Sequence, residues 1–115
     1  MTELEREQYL YLSTRGRKSG RLREIEIWFT EREGRFYIIA EHETSNWLRN
    51  LLANPEVQVR VGGRSFSGRA RVLDPQTDAR LRTAVQQLSQ GKYGWSDGTV
   101  VEISPISANS RGPSE

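Results

Sequence analysis

Residues 56–72 read EVQVRVGGRSFSGRARV. Val57, Val59 and Val61 alternate with Gln58 and Arg60, the period of a strand with one buried face. Gly62-Gly63 then supplies the two positive-φ positions that a two-residue hairpin turn needs. Phe66, Gly68, Ala70 and Val72 share one face of the returning strand. A hairpin this tight builds an antiparallel sheet, because a parallel pair needs a long crossover.

Upstream, the period changes from two to that of a helix. Trp47, Leu48, Leu51 and Leu52 form the apolar stripe of a short helix over 46–53, with Ser45 placed to cap it. Asn54-Pro55 ends it, since a residue before proline is pushed out of helical geometry. Residues 9–13, 24–30 and 36–40 read as three earlier strands. In the second, Ile25, Ile27 and Phe29 share one face and Glu24, Glu26 and Trp28 the other. Glu33-Gly34 marks the turn that makes the third its hairpin partner. Downstream, Asp74-Pro75 opens a second helix carrying Leu81, Ala84, Val85 and Leu88, and Gly91 is placed to end it. Residues 99–104 complete a set of six strands.

The expectation is an α+β domain over 1–106, a six-stranded, mainly antiparallel sheet with two helices, followed by a flexible tail over 107–115. Residues 1–8 form a short helical turn or fray. Closing the sheet into a small barrel would remove its exposed edges.

Composition narrows the chemistry. The 115 residues hold no cysteine and one histidine, His42, which excludes disulfides, thiolate catalysis and a multi-histidine zinc site within one chain. No apolar run approaches the roughly 20 residues that span a bilayer, and the polar N-terminus is unlike a secretory signal, so a cytoplasmic protein is expected. Seventeen basic and fifteen acidic residues leave a net charge of only +2. The positive charge is concentrated locally, at Arg15, Arg17, Lys18, Arg21 and Arg23. With Gly16 and Gly20 as turn points and Ser19 as a further donor, this loop has the makings of an anion cradle. It runs into a strand, not a helix, so it is neither a Walker loop nor a dinucleotide fingerprint. A cofactor phosphate, a nucleic-acid backbone or bulk water could each face it. Aromatic residues are not interleaved along it as a base-stacking platform requires, which argues against nucleic acid.

YLSTRGRKSGRLREIEIWF (11–29), FYIIA (36–40) and NWLRNLLANPEVQVRVGGRSFSGRARVL (46–73) together resemble the deazaflavin-dependent nitroreductase family, a branch of the split β-barrel flavin-binding proteins. The resemblance covers roughly residues 9–73. It is specific in its combination: the Gly-Arg-Lys-Ser-Gly loop, then Asn-Leu-x-Ala-Asn-Pro and a Val-x-Val-x-Val-Gly strand. It implies a split β-barrel, usually a homodimer, holding a deazaflavin, with FMN as the alternative. It implies hydride transfer to an electron-poor small molecule such as a nitroaromatic, quinone or enone. Carried over position by position, Arg17, Lys18 and Ser19 would hold the cofactor's phosphate and acidic tail, Gly20 would permit the turn and Arg23 would close the far side. Trp28 would lie beside the ring, and Asn50 and Trp47 would position the loop. Tyr93 and His42 are the candidate proton donors.

This chain departs from the pattern in carrying Glu26 where a proline is common, and Glu41-His42-Glu43-Thr44-Ser45 where the family is small and glycine-rich. The departures leave deazaflavin, FMN and no cofactor open. A non-catalytic barrel binding flavin, haem or lipid is the alternative. Among the other polar residues, Glu24 and Glu26 read as solvent-facing partners for the loop arginines. Tyr93 and Trp95, in a glycine-containing loop, suit a substrate lid or a barrel plug.

Overall fold

The computed structural model describes residues 7–106. Its elements run β1 (Leu10–Arg15), β2 (Leu22–Ile27), β3 (Thr30–Arg32), β4 (Arg35–Ala40), α1 (Asn46–Ala53), β5 (Glu56–Val61), β6 (Arg64–Val72), α2 (Ala79–Tyr93) and β7 (Thr99–Ile106). The strands form one sheet in the order β2-β1-β5-β6-β7-β4-β3, antiparallel throughout. The hairpin at Gly62-Gly63 is present, with Val61 opposite Arg64 and both glycines at positive φ.

The sheet has seven strands, not the six expected. The stretch 24–30 is not one strand but the end of β2 and the start of β3, broken at Trp28-Phe29. β2 pairs with β1, Ile27 opposite Leu10, whereas β3 turns at Glu33-Gly34 and pairs with β4, Thr30 opposite Tyr37. Alternation runs smoothly through Ile25, Ile27 and Phe29, so nothing local marks the break. It is held by distant residues. The Tyr93 hydroxyl accepts the Phe29 N–H at 3.0 Å, and the Lys92 ammonium donates to the Phe29 carbonyl at 2.9 Å.

The break also explains the sheet's curvature. β2 and β3 are the two ends of the sheet, yet only two residues separate them. Three peptide links reach no more than about 11 Å, so the sheet must curl until its ends approach at this corner. The result is a half-barrel.

Two apolar layers follow from the alternation. Leu10, Leu12, Val57, Val59, Ile38 and Ile103 point inside the curl, where Leu48 and Leu51 of α1 close the space. On the outside, α2 covers Tyr37, Leu73 and Val100 with Val85 and Leu81. β7 is therefore buried on both faces, from Val100 through Ile103. Full burial of a side chain such as Val85 stabilises the fold by about 1.5–3 kcal/mol. Leu88, expected on the apolar stripe, is 39 % exposed, and Ser89 is buried instead.

Helix boundaries differ from expectation at both ends of α2. α1 spans 46–53 as read, although the Ser45 side chain makes no capping hydrogen bond. α2 starts at Ala79, later than Asp74-Pro75, because the Asp74 carboxylate accepts the Gln76 and Thr77 amides at 2.7 and 3.0 Å and holds a turn there. It runs through Gly91 and ends at Gly94, whose φ of 75° is the left-handed conformation of a helix C-terminus. Residues 107–115 and 1–6 lie outside the described residues, and with them the expected tail and most of the N-terminal turn.

Candidate active site

The β1–β2 hairpin carries the basic loop. Its backbone is folded on itself: Gly16 N–H donates to the Arg21 carbonyl at 2.7 Å, and Gly20 N–H to the Gly16 carbonyl at 2.8 Å. Gly20 turns with φ 75°, and the Arg15 guanidinium tethers its carbonyl at 2.5 Å. The Ser19 hydroxyl accepts the Arg21 amide at 3.2 Å. Three loop amides are thus spent on the loop's own shape, so the cradle expected from free backbone N–H groups is smaller than the glycines suggested. Among the described residues, the Lys18 and Ser19 amides, the Lys18 ammonium and the Arg23 guanidinium make no hydrogen bond or ion pair.

The loop docks on α1 through Asn50, which is only 4 % exposed. Its carbonyl oxygen accepts both the Arg17 amide at 3.2 Å and the Arg17 guanidinium at 2.8 Å. Its amide group donates to the buried Thr14 hydroxyl at 3.3 Å. Asn46 adds a longer contact to Arg17 at 3.4 Å. Arg17 is therefore fixed in place, yet two such contacts leave most of the five guanidinium donors for a ligand. Gly16, Arg17, Lys18, Ser19, Arg23, Asn46 and Asn50 enclose a cavity of about 360 Å³.

A second, larger cleft of about 580 Å³ adjoins it. The two meet along consecutive residues. Asn46 faces the basic cavity while its neighbours Ser45 and Trp47 face the cleft; Arg23 of β2 faces the first, and Glu26 and Ile27 of β2 with the following Trp28 face the second. Trp28, Trp47 and Trp95 wall the cleft with Ile27 and Ile39. Trp28 stacks on Tyr93 with ring centroids 4.4 Å apart and planes within 2°, and meets Trp95 edge-on at 6.3 Å. Trp28 nevertheless remains 40 % exposed.

The other candidates sort as follows. His42 lines the cleft at its exposed rim, its Nε2 3.9 Å from Glu41. The Tyr93 hydroxyl is engaged with backbone, lying 2.8 Å from both the Gln8 and Phe29 carbonyls. Tyr93 ends α2 and braces the corner from behind Trp28, whereas Trp95 lies in the following loop and does face the cleft. Glu24 and Glu26 do not pair with the loop arginines: Glu24 binds Arg60 of β5 at 3.2 Å, and Glu26 accepts the Tyr11 hydroxyl at 3.1 Å. Sequence reasoning missed Thr14, Asn46 and Arg60. Thr14 and Asn46 become visible only once α1 is known to pack against the β1–β2 hairpin.

An elongated ligand with an anionic end and a flat ring fits this pair of cavities, the first offering unpaired cations and the second aromatic walls. The model of the F420-H2-dependent quinone reductase family matches residues 1–104. The chain belongs to that family. It is accordingly an enzyme, a reductase that depends on the deazaflavin F420. Solved structures agree in fold. An F420-H2 dependent reductase superposes with a TM-score of 0.70 at 22 % identity, over 90 % of this chain and 98 % of that one. A FAD-binding protein from Mesorhizobium loti gives 0.71 at 18 % identity, over 90 % and 85 %. A chain described as a domain-swapped dimer gives 0.68 at 23 % identity, over 90 % and 83 %. No curated protein matches. No helix among the described residues is long and apolar enough to cross a membrane.

Proposed function

We propose that this reductase seats the anionic end of the deazaflavin on Lys18, Arg17 and Arg23 and its ring in the tryptophan cleft, and that it reduces quinones, with nitroaromatics and enones as further acceptors. The observation that carries the reading is the juxtaposition itself: a cavity lined by cations without an ion-pair partner among the described residues lies next to an aromatic cleft, the two lined by neighbouring residues at the first turn of α1.

The bound deazaflavin supplies hydride-donating chemistry that no side chain offers. The protein's part is binding, orientation and exclusion of water. Lys18 and Arg23 give charge-assisted contacts to the anionic end. Asn50 holds Arg17, and so the loop, at a fixed distance from the cleft. Trp28, pressed against Tyr93, gives a rigid wall on which a flat acceptor can lie, and Trp47 and Trp95 keep water from the other sides. A proton for the reduced acceptor comes from Nε2 of His42, which lines the cleft, and not from Tyr93, whose hydroxyl is held by the backbone of the corner. A homodimer completes the reading; one structural neighbour is described as a domain-swapped dimer.

The test is a binding titration with oxidised deazaflavin. Lys18→Ala combined with Arg23→Ala should weaken binding about 100-fold, since two charge-assisted contacts of roughly 1.5 kcal/mol each are lost. Both side chains are exposed, so the melting temperature should stay put. An unchanged dissociation constant refutes the assignment of the loop.

A further inference from the structure

The cleft next to the basic loop carries charge of the opposite sign. Glu26 and Glu41 line it, and no lysine or arginine does among the described residues. Both carboxylates are exposed at the rim. Glu26 is oriented by the Tyr11 hydroxyl. Arg60 of β5, stacked on Tyr11 at 4.2 Å, is engaged by Glu24 at 3.2 Å and not by Glu26. Among the described residues the one ion-pair partner of Glu41 is His42, at 3.9 Å, and that imidazole carries charge only when protonated. The aromatic walls would accept any flat ring. The rim would not treat all rings alike, because two carboxylates and, among the described residues, no lysine or arginine line the cleft, and a like charge brought close to them is repelled.

We propose that Glu26 and Glu41 make this cleft select by charge, admitting neutral or cationic electron-poor rings and rejecting anionic ones. The inference rests on the proposed reading of the cleft as the place where an acceptor lies beside the deazaflavin ring, and it adds a specificity that the walls alone do not provide. It also gives the groove a polarity: an anionic group is drawn to Lys18 and Arg23 and turned away from the ring end.

Three nitrobenzenes of nearly equal size test it: 4-nitrobenzyl alcohol, 4-nitrobenzoate and 4-nitrobenzylammonium. Binding to the full chain is read by quenching of tryptophan emission, corrected for absorption by the probe, and by calorimetry. At low salt the anion should bind on the order of tenfold more weakly than the alcohol, and the cation at least as tightly as the alcohol. Raising salt to about 0.5 M should compress the spread. Glu26→Gln with Glu41→Gln should bring all three within about threefold of one another; the side-chain carbonyl introduced by Glu26→Gln can still accept the Tyr11 hydroxyl, so the strand pairing is kept.

If the double variant fails to fold, the salt series decides. A spread that salt does not compress, or one that persists in a folded double variant, overturns the proposal. Equal binding of all three probes to the native chain overturns the charge selection but leaves the cleft as acceptor site. Failure of every probe to bind overturns both.

Discussion

Asn50 shows how much one buried side chain can organise. It spends its carbonyl on Arg17 and its amide group on Thr14, so it sets the basic loop's distance from α1. Asn50→Ala should lower stability by about 1–3 kcal/mol, because the Thr14 hydroxyl and the Arg17 amide lose their partner. It should also weaken deazaflavin binding although the residue carries no charge; thermal melts and a titration read the two effects separately. Tyr37 makes a different prediction. It is 2 % exposed and donates to Glu102 at 2.9 Å, and burial first, then that bond, push its pKa up to about 12. The folded chain therefore holds this proton more tightly than the unfolded chain. Its contribution is fully present below pH 10, the unfolded value, and is lost as pH rises from 10 through about 12. Tyr37→Phe should lose less stability across that window, as denaturant midpoints measured at several alkaline pH values would show.

Elements were legible where the signal was local. The 56–72 hairpin and the 46–53 helix carry their patterns locally and are found where the patterns placed them; the basic loop is shorter than the stretch from Thr14 to Arg23 suggested, because Arg15 ends β1 and Arg23 lies in β2. The end of α2 was misplaced because Gly91 and Gly94 lie three residues apart and only backbone geometry tells them apart. Gly91 sits inside the helix with open space where a Cβ would go, whereas Gly94 holds a φ of 75°. The two should respond in opposite senses. Gly91→Ala should stabilise by about 0.5–1 kcal/mol, and Gly94→Ala should destabilise by about 1 kcal/mol. A thermal melt of each variant checks both signs. The break at Trp28-Phe29 was illegible for another reason. The side chains that fix it, Lys92 and Tyr93, lie more than sixty residues away in sequence. The same holds for the site. The cations of the loop were readable as a cluster, but that Asn50 clamps Arg17, and that Glu24 answers Arg60, depend on packing between elements.

At the scale of the whole molecule, the half-barrel leaves β2 and β3 as open edges on either side of the corner. The outer edge of β2 begins with Leu22, 54 % exposed. Open backbone and exposed apolar surface both favour pairing with a second chain. A homodimer should therefore be seen by light scattering at micromolar concentration. Charge on that edge, introduced as Leu22→Lys, should shift the equilibrium toward monomer; a native chain that is monomeric throughout refutes the dimer. The corner has a further consequence, for how such a protein can change over time. Trp28 sits at the break between the two ends of the sheet, stacked on the Tyr93 that braces it, and in the proposed reading it is also the wall for an acceptor, so new selectivity gained there risks the fold. The segment Glu41 to Thr44 has no comparable duty: it is exposed, joins a strand to a helix and reaches the same cleft. Altered preference for one acceptor over another should accumulate in that segment while the tryptophan stays fixed.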